Sequence, residues 1–130
     1  MTLGIVGSRK LSFSECQEVI SLVINLLAPE LVVSGGARGV DSHAVQVARS
    51  AGVPIAVFYP LNLEQAGKAA FFIRNRRIAR SADILLCLYA GSSPSGGTAY
   101  THQFAAKLGK IIIPVFFNKE VFHGQLSFAF

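Results

Sequence analysis

The sequence predicts an α/β protein with one open parallel sheet and helices on both faces of that sheet. Short runs rich in Val and Ile alternate with segments of helical periodicity, which is the order that a parallel sheet with crossover helices requires. Hydrophobic residues make up 52% of the chain and charged residues only 15%, a composition typical of strands covered on both faces. A chain of 130 residues has the size of one domain.

Five apolar runs are the predicted strands. In chain order they lie at residues 3–6, 31–34, 54–58, 83–88 and 110–116. Because helical segments separate them, we expect about five parallel strands in the order 3-2-1-4-5.

Four helices are predicted between the strands. Their periodic segments lie near residues 16–27, 44–51, 71–81 and 98–108. Ser12 with Glu15, or Ser14 with Gln17, offers a capping box at the start of the first helix. The mixed segment at 59–70 is expected to be a loop that leads into the third helix.

The chain divides into a domain at 1–117 and a C-terminal extension at 118–130. The extension carries more apolar side chains than a disordered tail does, namely Val121, Phe122, Leu126, Phe128 and Phe130. We therefore expect the extension to pack on the core or on a partner subunit of a homo-oligomer.

Several classes of protein are disfavoured by composition. No apolar run approaches the roughly 18 residues of a membrane span, and no basic region precedes the first apolar stretch, so we expect a cytoplasmic protein. Cys16 and Cys87 are expected to be buried free thiols. The three histidines show no metal-ligand spacing, so neither a metal nor a cofactor is expected. The net charge of +5 favours an anionic partner.

Three glycine-rich turns are the candidate ligand-binding elements. They contain Gly7, Ser8 and Arg9 after the first strand, Gly35, Gly36, Arg38 and Gly39 after the second, and Gly96, Gly97 and Thr98 before the last helix. The carboxyl ends of parallel strands share one edge, so these turns should meet at the switch point between strands one and four. Glycine lets backbone N–H groups approach an anion, and a helix N-terminus adds positive charge. Single turns of this kind also use glycine without a ligand, so the predicted phosphate site depends on all three.

Polar side chains flank these turns. Asp41 lies in the first turn of a helix, where the helix dipole stabilises a carboxylate. Its side chain could instead hold Arg38 or accept hydrogen bonds from a ribose. Arg74 and Asn75 either belong to a solvated basic face at 74–80 or turn toward the cleft. The glycine spacing matches neither the dinucleotide-binding fingerprint nor the P-loop, and no nucleophile elbow is present. Ordinary dinucleotide oxidoreductases, P-loop enzymes and serine hydrolases are therefore disfavoured.

Four stretches of the sequence resemble the Smf/DprA and LOG (SLOG) superfamily of Rossmann-like domains. They are Gly-Ser-Arg at 7–9, Ser-Gly-Gly-Ala-Arg-Gly-Val-Asp at 34–41, Arg-Asn-Arg at 74–76 and Gly-Thr at 97–98. The second and third resemble DprA, a DNA-processing protein that binds single-stranded DNA and works with the RecA recombinase. Gly-Lys-Ala-Ala at 67–70 resembles instead the small YspA-like members, to which binding of nucleotide-derived ligands is ascribed. The short chain favours the YspA-like group.

Two binding functions follow from the turns and the resemblance. The first is recognition of a nucleotide or nucleotide-derived ligand, with a phosphate cradle made by Gly36, Arg38, Gly39, Gly97 and Thr98. Arg9, Asp41, Arg74 and Asn75 would complete that pocket. The alternative is DprA-like binding of single-stranded DNA, in which the basic cluster at 74–80 extends the track of phosphates. In that case the aromatic side chains either stack on bases or pack in the core; they are Phe71, Phe72 and Tyr100.

The resemblance also suggests a third function, the phosphoribohydrolase activity of the LOG branch. That branch uses an arginine and a glutamate in its Gly-Thr motif, and Thr101 occupies the glutamate position here. Since threonine carries no negative charge, we expect little or no hydrolysis of nucleoside monophosphates. A binding module is thus favoured over an enzyme.

Overall fold

The computed structural model describes residues 1–36 and 39–118, together with the backbone of 127–128. The strands are β1 (Thr2–Gly7), β2 (Leu31–Ser34), β3 (Ile55–Val57), β4 (Ile84–Tyr89), β5 (Ile111–Phe116) and β6 (Ser127–Phe128). They form one sheet in the order β3-β2-β1-β4-β5-β6. Strands β1 to β5 pair in parallel, and β6 pairs antiparallel with β5. The predicted parallel sheet with the order 3-2-1-4-5 is confirmed.

Helices cover both faces of the sheet. They are α1 (Phe13–Leu27), α2 (Val40–Ser50), α3 (Leu63–Ala66), α4 (Lys68–Ser81) and α5 (Gly96–Lys107). The prediction of a continuous loop at 59–70 is wrong, because that segment contains α3 and the first residues of α4. Gly67, with φ +56°, separates the two helices and allows the chain to turn between them.

Strand residues alternate between two cores. On one face, Leu3, Ile5 and Leu86 pack against the apolar stripes of α1 and α2. On the other face, Val6 and Leu85 belong to the core that includes residues of α4 and α5. The parallel sheet is thus buried on both sides, as its composition predicts.

The entry to α1 shows how local sequence places an element. Ser12 Oγ accepts a hydrogen bond from the Glu15 N–H at 3.3 Å, and Glu15 Oε1 accepts one from the Ser12 N–H at 3.2 Å. This is the reciprocal capping box expected of Ser12 with Glu15, so the alternative of Ser14 with Gln17 is not used.

Three further predictions concern the cysteines, membrane-spanning segments and the C-terminal extension. Both cysteines are free and buried, as expected, and burial raises the pKa of the Cys16 thiol to about 12. Among the described helices, none combines the length and apolar composition needed to cross a membrane. The C-terminal extension lies outside the described residues except for Asn118 and the backbone of β6, so its packing partner stays a prediction.

Candidate functional site

A cleft of about 670 Å³ opens at the carboxyl ends of β1 and β4, the switch point of the sheet. Nine of the predicted site residues lie in its wall: Gly7, Ser8, Arg9, Asp41, Arg74, Asn75, Gly96, Gly97 and Thr98. Three others lie beside the cleft, namely Gly35, Gly36 and Gly39. Arg38 lies outside the described residues.

The turn after β1 joins three elements at the base of the cleft. The Ser8 N–H donates to the Leu88 carbonyl of β4 at 3.0 Å, and the Ser8 carbonyl accepts from the Val40 N–H of α2 at 3.5 Å. A Cβ at Gly7 would lie 2.6 Å from the Leu88 carbonyl oxygen, so only glycine fits this junction. The junction holds the exposed side chains of Arg9 and Lys10 at the cleft wall.

Gly36 and Gly39, the described glycines on either side of residues 37–38, are not among the residues that line the cleft. A Cβ at Gly39, whose φ is +76°, would lie 2.6 Å from the Arg9 Cα. A Cβ at Gly36 would face Val57 and Tyr59 on the β3 side. These glycines therefore permit close approach between turns, and the predicted role of Gly36 and Gly39 in holding a phosphate stays a prediction.

The N-terminus of α5 lies open at the cleft. Ser95 takes the N-cap position, yet its side chain makes no capping hydrogen bond, and the first residues of the helix, Gly96, Gly97 and Thr98, line the cleft. Since the first N–H groups of a helix have no partner within it, they offer donors and positive potential. At α2, by contrast, the Ser8 carbonyl faces the Val40 N–H, and Asp41 adds a carboxylate in the first turn. The α5 terminus is thus better suited to an anion.

Arg74 is a buried cation that ties the cleft to the turn after β2. Its side chain is 6% exposed, and Nη1 donates to the Gly35 carbonyl at 2.6 Å and to the Phe58 carbonyl at 3.4 Å. Burial lowers the pKa of Arg74, the nearby Asp41 carboxylate opposes that change, and Arg9 adds to it. A Cβ at Gly35 would lie 2.5 Å from Nη1 and 2.8 Å from Asp41 Oδ2, so both charged groups meet at this glycine.

Asn75 is oriented by its neighbour. Arg74 Nε donates to Asn75 Oδ1 at 2.8 Å, which leaves the Nδ2 donor of Asn75 directed toward α5. A Cβ at Gly97 would lie 3.7 Å from Nδ2, so the amide faces the helix terminus across a narrow gap. An anion at the α5 N-terminus would therefore also meet this donor.

Two cations of the cleft were not predicted from the sequence. Lys10 follows Arg9 in the first turn, and Lys68 is the first residue of α4. The stripe formed by Lys68, Phe72 and Asn75, at helical spacing, would have indicated Lys68. The assignment of 59–70 to a loop concealed that spacing.

Aromatic side chains form part of the wall. Phe71 and Phe72 both line the cleft, and Phe72 is 40% exposed. Phe72 contacts Tyr100 of α5 edge to face, with ring centroids 4.7 Å apart, and the Arg74 guanidinium lies 5.7 Å from the Phe71 centroid. Neither phenylalanine belongs to the buried clusters of the two cores. Their position is compatible with contact to a flat ligand group.

The base of the cleft is uncharged. Tyr89 lines it, and its hydroxyl shares a 2.7 Å hydrogen bond with His102 Nδ1. Burial raises the pKa of Tyr89 and lowers that of His102, so both are neutral near pH 7. Thr101 is buried, and its Oγ1 donates to the Gly97 carbonyl at 2.9 Å. Within the described residues, no group of acidic, His and Cys side chains could hold a metal ion.

Comparison with solved structures places this architecture among known proteins. The X-ray structure of DNA processing protein A (DprA) from Streptococcus pneumoniae matches with a TM-score of 0.70 and 20% sequence identity. The match covers 87% of this chain and 49% of the other, so the chain spans about half the length of that protein. At this identity the match shows a shared Rossmann-like fold.

Comparison with sequences identifies the family. No curated protein matches the chain. The family model described as DNA recombination-mediator protein A matches residues 1–66, which include β1, α1, β2, α2 and the glycine-rich turns between them. Because that match covers half of the sequence, the chain belongs to the DNA recombination-mediator protein A family.

Proposed function

We propose that the cleft binds the sugar–phosphate backbone of single-stranded DNA, as part of DNA processing. The observation that carries this proposal is the charge of the cleft wall. In its described part, Arg9, Lys10, Lys68 and Arg74 supply four cations, against the single carboxylate of Asp41. The open N-terminus of α5 adds backbone donors between these cations. Such a wall attracts a polyanion and contacts more than one phosphate.

The family and the aromatic side chains favour a single strand. Membership of the DNA recombination-mediator protein A family supports a role in DNA processing. Phe72 lies exposed at the cleft, and an unpaired base could stack on such a ring, whereas a paired base in a duplex could not. A phosphate bound at the α5 N-terminus would lie inside the cleft, where the backbone of a single strand could reach it.

A nucleotide or nucleotide-derived small molecule is the second candidate ligand. The volume of about 670 Å³ lies within the range of small-molecule pockets, and Asp41 reaches the wall where it could accept hydrogen bonds from a ribose. A thermal-shift screen tests this function, because a ligand at about a hundred times its Kd should add about 2.7 kcal/mol of stability. Stabilisation by a mononucleotide without binding of oligonucleotides would favour this candidate over DNA.

The salt dependence of binding tests the DNA proposal directly. Fluorescence anisotropy with a short labelled oligothymidylate should give a log–log slope of affinity against salt of about −0.7 per phosphate contact, hence about −2 for contacts with the exposed Arg9, Lys10 and Lys68. The double variant Arg9→Gln and Lys68→Gln removes two phosphate contacts, so its slope should be shallower by about 1.4. Arg49→Gln removes an exposed charge from α2 outside the cleft wall and serves as the control. Equal loss in both variants, or a wild type without affinity, would exclude the cleft as the DNA site.

Phosphoribohydrolase activity is expected to be absent or very weak. Thr101 occupies the position of the LOG glutamate, and its hydroxyl donates to a backbone carbonyl instead of facing a ribose as a carboxylate. Loss of a positioned acid or base costs about 10²- to 10⁴-fold in rate. Release of free base from AMP and CMP measures this, with Thr101→Glu as a comparison. Robust turnover by the wild type that disappears in Asp41→Asn would show a relocated carboxylate.

A further inference from the structure

The seam between α4 and α5 begins at the cleft and runs away from it. We propose that a single strand leaving the cleft continues along this seam, with its phosphates on Arg76 and Arg80 and its bases beside the aromatic side chains of α5. This inference rests on the proposed function. It adds a part of the DNA path that continues beyond the cleft.

Side-chain contacts define the two ends of the seam. At the cleft end, Phe72 of α4 meets Tyr100 of α5 with ring centroids 4.7 Å apart. At the far end, the Arg80 guanidinium lies over the Phe104 ring of α5, 5.2 Å from its centroid. Phe72 and Arg80 are eight residues apart and share one side of α4, so Arg76, midway between them, lies on that side too. The seam thus carries a stripe of Phe72, Arg76 and Arg80.

Arg76 has unused hydrogen-bonding capacity on this stripe. Its Nε is buried, and no described residue accepts a hydrogen bond from it. Arg80 is exposed, and its contact with Phe104 leaves the guanidinium edge free to bind an anion. At the far end, Lys110 Nζ donates to the Arg80 carbonyl at 3.2 Å and adds a third cation. Because Arg76 as a whole is only half-buried, a phosphate would bind the outer edge of its guanidinium group rather than the enclosed Nε.

The charge of the two helices indicates a polyanion as the occupant. Helices α4 and α5 contain six Lys or Arg residues and no Asp or Glu: Lys68, Arg74, Arg76, Arg77, Arg80 and Lys107. Lys68 and Arg74 already line the cleft, so the surface is continuous with the proposed site. Phe72 is exposed where the seam meets the cleft, so an unpaired base could stack on it, whereas a protein partner with an acidic face would not need such a ring.

The length of the seam sets the number of nucleotides it can hold. Eight residues of α-helix span about 12 Å. At 3.4 Å or more per nucleotide of one strand, this is room for about three nucleotides beyond the cleft. Affinity should therefore rise with oligonucleotide length after the cleft is filled.

Length-dependent binding of oligothymidylates tests the inference, and α4 offers a matched control. Arg77 lies on the same helix but over Phe58, 4.8 Å from that ring, on the β3 side away from the seam. We compare Arg76→Gln with Arg80→Gln as a double variant against Arg77→Gln, each with oligomers of about two and about twelve nucleotides. The double variant should bind the long oligomer roughly tenfold more weakly, with a salt slope smaller by about 1.4, and the short one as the wild type does. Arg77→Gln should change the affinity for the long oligomer by less than about twofold.

The remaining outcomes separate this inference from the proposed function. A wild type that binds neither oligomer overturns both. A wild type that binds the short oligomer but gains nothing from length, or equal losses in the double variant and in Arg77→Gln, overturns the seam alone. A second double variant, Arg76→Lys with Arg80→Lys, keeps both charges and should bind the long oligomer within about threefold of the wild type. Loss of binding in the lysine variant equal to that in the glutamine variant would contradict a role for these charges.

Discussion

The two faces of the sheet differ in what their helices carry. Helix α1 has two acidic residues and no basic one, α2 has one of each, and both pack large aliphatic side chains of the sheet. Helices α4 and α5 carry six basic residues and no acidic one, and their core includes several alanines. Small core residues let α4 and α5 lie close to the sheet, and the cationic side chains of Lys68, Arg80 and Lys107 remain exposed.

If DNA binds as proposed, stability depends mainly on the α1/α2 face and ligand recognition on the α4/α5 face. Substitutions in the α1/α2 face should alter the free energy of unfolding without changing the affinity of the folded protein for DNA. Substitutions of the exposed cations on α4 should do the reverse, since isolated surface charges contribute little to stability. Residues between the faces, such as Arg74, should affect both.

The largest expected effect on stability is in the core of the α1/α2 face. Ile20 is fully buried on α1, and Ile20→Ala should lower the free energy of unfolding by about 2–5 kcal/mol because it leaves a cavity. Ile20→Val should cost about 0.5–1.5 kcal/mol. Urea unfolding measures both, and anisotropy at a temperature where the variants are folded should give unchanged affinity for DNA. A lower affinity for DNA in a fully folded variant would contradict the separation of stability and ligand binding between the two faces.

Gly35→Ala tests the point where the two faces meet. The added methyl group would lie 2.5 Å from Arg74 Nη1, so the guanidinium must move, and we expect a loss of about 1–3 kcal/mol together with weaker DNA binding. Ser50→Ala is the control, since it changes an exposed side chain at the end of α2 outside the cleft wall. Denaturant unfolding and anisotropy of both variants measure these effects. An unchanged affinity in Gly35→Ala would show that the position of Arg74 does not matter for the ligand.

The serine N-caps of α1 and α5 should differ in how much they contribute to stability. Ser12 takes part in a reciprocal capping box on α1, so Ser12→Ala should cost about 1 kcal/mol of stability. Ser95 makes no side-chain capping bond on α5, so Ser95→Ala should change stability by less than about 0.5 kcal/mol. Thermal unfolding of the two variants without DNA measures this difference. A larger loss in Ser95→Ala would mean that the α5 terminus is closed by its own cap.

The smallest effect is a pH dependence from His102. Burial lowers its pKa in the folded state below the ordinary value, so the unfolded chain takes up a proton first as the pH falls. The stability associated with neutral His102 is therefore present above the unfolded pKa, about 6.5, and is lost as the pH falls through the folded pKa. His102→Gln should flatten the stability profile on the acid side of pH 6.5. A profile steeper than that of the wild type would contradict this sign.

Most of the fold could be predicted because its signals are local. Each strand is a short apolar run, and the helices have apolar stripes with recognisable caps such as Ser12 with Glu15. The start of α4 was missed because Gly67, which commonly marks a loop, here separates two helices at φ +56°. That error also concealed Lys68 as a residue of the cleft.

The candidate site was less predictable because it depends on packing between distant segments. Motifs indicated Arg74, but not its bond to the Gly35 carbonyl, which is 39 positions away. Gly36 and Gly39 were predicted in the cradle, but neither lines the cleft: Gly36 lies close to Val57 and Tyr59, and Gly39 lies close to Arg9. Helical spacing already separates Arg76 and Arg77 on α4, but the sequence could not show which neighbouring element each of them faces. Their assignment follows from the contacts of α4 with α5 and with Phe58.

The most direct test of DNA binding in the cleft is a map of the backbone amides whose NMR signals shift when DNA is added. Two-dimensional NMR of labelled protein titrated with an oligothymidylate reports each N–H separately. Binding of DNA in the cleft should give large shifts for Gly96, Gly97 and Thr98 at the open α5 terminus, smaller ones along α4, and none on the exposed face of α1. Shifts confined to α1 and α2, with the α5 terminus unchanged at saturation, would contradict the assignment of DNA binding to the cleft.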